Sequence, residues 1–327
     1  MSNPDPYDLD ATISKCIKSL PANNKLSGFG LVFWDPSVYP RFTTLFNRSN
    51  SILVGYLIFE WTKLTKEYIN NALLMDYLAV PSPWHREVLM ANGIPSERII
   101  ILKAGLNKTY SADLKEGTRR KKFLFVGKYE KRKAVDECLS GFANAIKRGE
   151  GTLTLLLSDP HDPHFEVNRL PIIGKTSNII PGIPPTTVKG MAELYEQHQY
   201  ILVPSRAGGI ELPLIEAMSR GCVPIVTKAS GMEHYLPANW DWFIPVKSMV
   251  PMYDNRWFPP TTNWGVWAEP DWNMFEQLLI KASKTKPEAE SALVRLHSTS
   301  QFDYPTIVRD LLRWYSQEDR KKVGVRL

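Results

Sequence analysis

The segment PSRAGGIELPLIEAMSRGCVPIV, Pro204 to Val226, joins a strand end, a double-glycine loop, a helix with Pro213 in its first turn, and a further strand. Proline suits a first helical turn because its missing N–H would be unpaired there anyway. Gly208 and Gly209 allow tight backbone geometry just before it. Upstream, VKGMAELYEQHQ (188–199) has helical spacing and YILVPS (200–205) reads as a strand; downstream, CVPIVTKA (222–229) and WFIP (242–245) are strands. Further back the same alternation begins with a strand in KFLFVG (122–127), an amphipathic helix in AVDECLSGFANAIKRG (134–149) and a strand in TLTLLLSD (152–159). Between them, residues 160–185 read as a long surface excursion holding a short IIG strand. Strands alternating with helices of this length predict an α/β fold, its parallel sheet covered on both faces.

The front of the chain repeats the pattern. Strands are predicted at FGLVFWD (29–35), ILVGYLIFE (52–60), YLAVPS (77–82) and RIIILKAG (98–105), with helices in LTKEYINNALLMD and WHREVLMANG, the second stopped by Gly93. A short helix is expected over Leu9 to Leu20. Helical spacing also marks 271–284 and 306–317. The polar break from Lys108 to Arg120 sets the expected boundary, giving an abbreviated domain over 1–110, a second over 120–290 and a helical segment over 291–327 that packs back on the first. Two such halves face each other across a crevice, and ligands of open α/β sheets bind at the carboxyl ends of the strands.

The 327 residues are 43% hydrophobic, enough for a sizeable core. No apolar run reaches the roughly 18 residues a membrane span needs, and the start MSNPDPYDLD lacks the basic and apolar segments of a secretory signal. The expected location is cytoplasmic, with peripheral membrane contact through basic patches left open. Three widely spaced cysteines, Cys16, Cys138 and Cys222, suggest neither a disulfide framework nor a zinc site but buried thiols. The formal charge of +6 is uneven: eight basic residues against Glu130 alone lie between Arg119 and Lys133. Such a cluster meets a phosphate-bearing ligand, an anionic lipid surface or nucleic acid, or is a solvated interdomain stretch.

Within FLFVGKYEKRK, Gly127 ends a strand, Lys128 and Lys133 stand at the mouth of the loop, and Ala134 opens a helix. A helix N-terminus flanked by lysines favours a diphosphate. Those lysines would stabilise a departing nucleoside diphosphate more in the transition state than in the ground state. Glu211, before the second helix, and Glu216, within its first turns, are carboxylates suited to vicinal hydroxyls. Their bland readings are a helix cap and an exposed helix glutamate.

These segments resemble the retaining GT-B-fold glycosyltransferases of family 4, the group 1 glycosyltransferases. The resemblance covers about residues 50 to 315 and is strongest from 122 to 237. It implies two Rossmann-like domains facing each other, a nucleotide-sugar donor bound mainly by the second (UDP- or GDP-sugar first), no metal and no cofactor. It carries the donor-diphosphate role to Gly127, Lys128 and Lys133, the ribose role to Glu216, and the glycine loop to Gly209. The loop SGMEHYL is similar to a segment near the donor phosphates or sugar, so Gly231 and Met232 are expected to present backbone N–H groups, with Glu233 orienting the loop.

Two departures stand out. Eight positions before Glu216 the family has a glutamate, and this chain has Gly208, with Glu211 three residues on as a substitute. Where the family has a histidine after a front-half strand, VGYLIFEW offers Glu60, which reads as a base, a hydroxyl acceptor or a strand-end residue. His85 reads as a helix-start histidine touching solvent or a neighbouring turn.

The function expected is transfer of a sugar, with retained configuration, to a glycan, lipid-linked or protein hydroxyl. A non-catalytic sugar-nucleotide or glycan binder and a DNA-modifying glycosyltransferase are the alternatives, with nucleic acid kept open as a partner. A dinucleotide oxidoreductase lacks its GxGxxG. The histidines of HDPH (161–164) have no third metal-ligand pattern.

Overall fold

A computed structural model describes residues 26–33, 35–114, 121–147, 150–159, 162 and 165–324. The helix expected over Leu9 to Leu20, Cys16, Arg119, Arg120, His161 and His164 lie outside them.

The first sheet has four parallel strands in the order β1 (Leu26–Phe33), β2 (Phe46–Tyr56), β3 (Tyr77–Val80), β4 (Ile99–Ile101). Its helices are α1 (Tyr39–Thr44), α2 (Lys66–Ala72) and α3 (Pro83–Ala91). Alternation along β2 sends Leu53 into one core with Phe59, Leu78, Val88 and Leu89, and sends Ile52, Val54 and Tyr56 to the other face.

The second sheet is built from β5 (Lys121–Lys128), β6 (Leu153–Ser158), β7 (Ile179–Pro181), β8 (His198–Val203), β9 (Val223–Thr227) and β10 (Phe243–Ile244). All its pairings are parallel, in the order β7-β6-β5-β8-β9-β10. The order reverses between β5 and β8, the place where open α/β sheets present their ligand crevice. Helices α4 (Val135–Ala145), α5 (Val188–Glu196) and α6 (Leu212–Ser219) connect these strands. An antiparallel hairpin, β11 (Val246–Pro251) and β12 (Val266–Pro270), precedes α7 (Trp272–Lys284), α8 (Glu288–Gln301) and α9 (Tyr304–Gly324).

The last helix returns to the first sheet. Ile307, Leu311, Trp314 and Tyr315 cover its Ile52–Val54–Tyr56 face, and the Tyr77 hydroxyl donates to Glu318 at 2.6 Å. No helix among the described residues is long and apolar enough to cross a membrane. Cys138 and Cys222 are buried free thiols, and burial pushes the Cys138 thiol up.

Several sequence expectations need correction. The IIG segment forms only an isolated bridge, Ile173 to Thr176, and the edge strand is β7 instead. Residues 57–60 leave the ladder after Tyr56, so Glu60 stands in the loop beyond the strand. Helix α1 and the hairpin were not anticipated, and the helical segment expected over 291–327 divides into α8, which starts earlier at Glu288, and α9. Pro40 masks α1 because it sits in the first turn, and a hairpin with 14 intervening residues gives no local turn signal.

Arg220, at the end of α6, is 5% exposed at its side chain and pairs with the 3% exposed Glu196. It also donates to the carbonyl of Ala112 at 2.6 Å, which fastens the stretch between the two sheets onto the second one. Removing one member of a buried pair strands the other charge. Arg220→Met is therefore expected to cost about 3–5 kcal/mol of stability, measured as a lower urea midpoint; an unchanged midpoint would show the pair to be idle.

Candidate functional site

The loop after β5 carries the first group of residues. Gly127 and Lys128 end the strand, Lys131–Lys133 form a 3-10 turn, and Ala134 adopts φ 52°, ψ 45° before α4 begins. Left-handed backbone costs an alanine roughly 1–2 kcal/mol. Among the described residues the non-glycine positions with positive φ are Ala134 and Ser230, in the loops after β5 and β9. Both therefore flank the crevice, where surrounding structure must hold such strain in place.

The side chains of this loop are largely committed. The Lys133 ammonium donates to both oxygens of Glu211, at 2.6 and 2.5 Å. Arg132, 8% exposed, donates to the carbonyl of Ala207 at 2.9 Å and to Glu130 at 3.0 Å. The same guanidinium lies 3.7 Å from Glu60 and 3.6 Å from Glu211. Glu60 from the first half and Glu211 from the second thus meet at one cation. Lys128 is half exposed, 3.9 Å from Glu130.

This corrects the expectation of a net-basic patch: Lys128, Arg132 and Lys133 are faced by Glu60, Glu130 and Glu211, two of them far away in sequence. Burial lowers the Lys133 pKa below the ordinary lysine range, against the pull of Glu211 and with the push of Arg132.

Gly208 and Glu211 explain each other. A Cβ at position 208 would lie 2.5 Å from Glu211 Oε1 and 2.6 Å from its Cγ. The Glu211 carboxylate occupies the space into which a side chain at 208 would project. Gly127 is less demanding, since a Cβ there meets the Phe125 ring at 3.3 Å and Lys133 Cδ at 4.0 Å.

The glycine loop is packed from both sides. A Cβ at Gly209 would lie 2.7 Å from the Phe59 carbonyl, and one at Gly231 would lie 2.3 Å from the Gly209 carbonyl. The Gly231 N–H donates to Gly208 O at 3.1 Å, the Gly208 N–H to Ser230 Oγ at 2.9 Å, and the Tyr235 hydroxyl to Gly209 O. The expectation that Gly231 presents its N–H is therefore corrected, because that donor already has a protein partner. Met232 lies with its side chain fully buried in the core, and Glu233 is 3.5 Å from His234.

Glu216 faces elsewhere. It accepts from the Tyr195 hydroxyl at 3.1 Å and from Tyr110, while burial raises its pKa against these two hydrogen bonds. Its carboxylate thus meets these phenols, while Arg132 and Lys133 meet Glu211.

Three residues with no sequence-level role hold the site together. His85 is fully buried, so of the two contacts expected for it, solvent or a neighbouring turn, it makes the second. Its Nε2–H donates to the Phe59 carbonyl at 3.1 Å, leaving Nδ1 to accept from Ser82 at 2.8 Å. Arg132 is hidden in the run KRK. Arg206, next to the glycine loop, donates to Lys131 O at 2.7 Å, Glu137 at 2.6 Å and Glu269 at 2.8 Å. The usable signal for both arginines was adjacency to a loop already singled out.

A cavity of about 380 Å³ opens beside this cluster, lined by Glu60, Trp61, Lys128, Glu130, Arg132, Trp257, Phe258 and Trp264. Four charged groups and four aromatic rings share the lining, which suits a ligand with both hydroxyls and an apolar face. Among the described residues no three His, Cys, Asp or Glu side chains are grouped to hold a metal.

Comparison with known proteins follows the same lines. Residues 120–249 match the family model for glycosyl transferases, group 1. No curated protein matches the chain in sequence. Among solved structures, sucrose-phosphate synthase from Thermosynechococcus elongatus superposes with TM-score 0.69 at 15% identity, covering 98% of this chain and 81% of that one. Anabaena HepE, solved with UDP and glucose, gives 0.67 at 10% identity, covering 94% and 81%. S. aureus TarM, solved with fondaparinux, alpha-GlcNAc-glycerol and UDP, gives 0.61 at 12% identity, covering 87% of this chain. The chain spans only 55% of that TarM chain. These likenesses establish the α/β fold with parallel sheets of the GT-B glycosyltransferases.

His85 generates a pH prediction. Burial holds its pKa at about 3 against an ordinary 6.5, so between those values the unfolded chain binds a proton that the native protein does not. Stability present above pH 6.5 is then lost as the pH falls toward 3, by up to about 1.4 kcal/mol per pH unit. Urea titrations across this range should show a shallower acid limb in His85→Gln; equal slopes would refute the assignment.

Proposed function

We propose that this chain, whose residues 120–249 match group 1 glycosyl transferases, moves a sugar from a nucleoside-diphosphate sugar to a hydroxyl acceptor with retained anomeric configuration. The observation that carries the reading is the cluster at the reversal of strand order. Lys128 stands accessible at the end of β5, Lys133 is bound to Glu211, and a tightly packed glycine loop lies alongside. UDP is the first nucleotide to test, since HepE and TarM were solved with it.

The chemistry follows from charge. As the bond between the anomeric carbon and the β-phosphate oxygen breaks, the diphosphate gains negative charge. Ammonium groups already in position stabilise that charge without reorganising. Lys128 supplies one, and Lys133, held by both Glu211 oxygens, supplies the second, while the remaining lone pairs of that carboxylate accept a sugar hydroxyl. Glu211 takes over the role that the family's glutamate has at the position of Gly208, because its carboxylate fills that space. The acceptor oxygen bonds to the anomeric carbon on the leaving-group side, and its proton passes to the departing phosphate oxygen. This front-face route needs neither a covalent carboxylate nor a metal. Glu60, beside Arg132, orients the acceptor hydroxyl.

Glu216 is the weakest member of this assignment, since its hydrogen bonds run to Tyr195 and Tyr110. The lone pairs that those phenols leave open serve the ribose.

Calorimetry with UDP, GDP and their sugars tests the proposal. Lys128 is half exposed, so Lys128→Ala should leave the melting temperature unchanged while weakening UDP binding by about ten- to a hundredfold, the worth of one charged hydrogen bond. Unaltered affinity in the folded variant, or no nucleotide binding by the parent, would sink the donor site. Tight binding without UDP release on any acceptor would favour the non-catalytic alternative.

A further inference from the structure

The hairpin β11–β12 contributes a strap, residues 252–265, that crosses to the first half of the chain. The backbone N–H groups of Thr62 and Lys63 donate to the Trp264 carbonyl at 3.1 and 3.2 Å, and the Val266 N–H donates to Thr62 Oγ1 at 2.9 Å. The approach is so close that a Cβ on Gly265, at φ +85°, would lie 2.1 Å from Thr62 Oγ1. Beneath the strap, Trp61 contacts the rings of Trp264 and Phe258 at centroid distances of 5.6 and 6.1 Å.

The tip of the strap is fixed rather than loose. Asp254, 7% exposed, accepts the backbone N–H groups of Arg256, Trp257 and Phe258 at 2.8, 2.6 and 2.9 Å. The Met252 N–H donates to the Gly265 carbonyl at 2.9 Å, closing the loop base, and the Trp264 indole donates to the Pro259 carbonyl at 3.1 Å. Trp257 is nevertheless 41% exposed, presented on a rigid turn at the rim of the 380 Å³ cavity. That volume falls in the roughly 300–1,000 Å³ range of small-molecule sites. The indole is held on a preorganised loop at the cavity, with the Lys128 ammonium 5.7 Å from its ring centroid.

We propose that this cavity is the acceptor subsite and that it takes a pyranoside, the sugar ring of a glycan or simple glycoside, stacked by its C–H face on Trp257 with its hydroxyls toward Glu60 and Lys128. The inference rests on the donor reading above and adds the acceptor's chemical class. Lys133, Glu211 and the glycine loop do not line the cavity, whereas Lys128, assigned above to the donor diphosphate, does, so the two subsites meet at Lys128 and Arg132. Carboxylates accept sugar hydroxyls, indoles take the apolar ring face, and the pairing needs no net charge. A nucleic-acid acceptor would require cations in excess, but Glu60 and Glu130 offset Lys128 and Arg132 on the cavity wall. A lipid chain would require an unbroken apolar lining, and four of the eight lining residues are charged.

The test uses the full chain. Methyl glucoside, methyl galactoside, methyl N-acetylglucosaminide and their disaccharides are titrated while tryptophan fluorescence is followed, with and without UDP. Oligodeoxynucleotides and phospholipid vesicles run in parallel. Quenching by at least one glycoside, weakened about tenfold or more in W257A while UDP affinity holds, is expected. Trp257 is exposed at the strap tip, so this variant should fold; W264A, which loosens the strap itself, should lose glycoside binding too. Glycoside binding unchanged in W257A, no glycoside quenching in a chain that binds UDP, or Trp257-dependent binding of DNA or vesicles would each overturn the inference. Failure of UDP to bind while glycosides still quench Trp257 would instead remove the donor reading and leave this subsite standing.

Discussion

A single buried guanidinium organises the crevice. Arg132 takes the Ala207 carbonyl at the entry to the glycine loop and Glu130 beside it, and stands within 4 Å of Glu60 and Glu211 from opposite halves of the chain. A planar fork with five donors can serve several acceptors at once, which an ammonium cannot do in a fixed plane. Away from water such contacts are strong and an unmatched charge is costly, so the loops that supply the partners are held where the partners must be. Arg206 repeats the arrangement one layer out, joining the loop after β5 to α4 and β12 through Lys131, Glu137 and Glu269. The two arginines brace each other's loops, since the Arg206 N–H donates to the Arg132 carbonyl at 2.8 Å.

The glycines of the site belong to the same economy of space. Gly209 and Gly231 bring two loops and the Phe59 carbonyl within contact distance, and His85 backs Phe59 from below. A side chain at Gly209 would press on the Phe59 carbonyl of the first half, and one at Gly231 on the glycine loop itself. Gly208 is different, because what fills its space is a carboxylate from three residues along the same loop. The position that reads as a lost acid in the linear pattern has, in space, the Glu211 carboxylate beside it.

This marks the limit of what the sequence makes legible. The alternation of strands and helices, the strand end at Gly127–Lys128 and the loop-to-helix joint before Leu212 are local features, and local pattern identifies them. The charge balance is not local: Glu60 and Glu211 reach Arg132 from 72 and 79 residues away, so a run of lysines and arginines looked uncompensated. The strap escaped for the same reason. Its strands pair only across a proline-containing loop, and its aromatic residues are scattered in sequence although they converge on Trp61. A helix-start histidine gives no hint of the Phe59 carbonyl that His85 finds, and helical position alone does not say that the Glu216 carboxylate turns to Tyr195.

The return of α9 to the first sheet has a mechanical consequence. The chain crosses between its halves twice, and the two crossings touch: the Leu106 N–H donates to the Phe302 carbonyl at 2.7 Å and Leu106 bridges Asp303. Gly105 fits against the Tyr304 ring so closely that a Cβ would lie 2.0 Å from it. A body joined by one cord can swivel in any direction. Two cords fastened side by side remove that freedom, because any twist that moves one must carry the other with it.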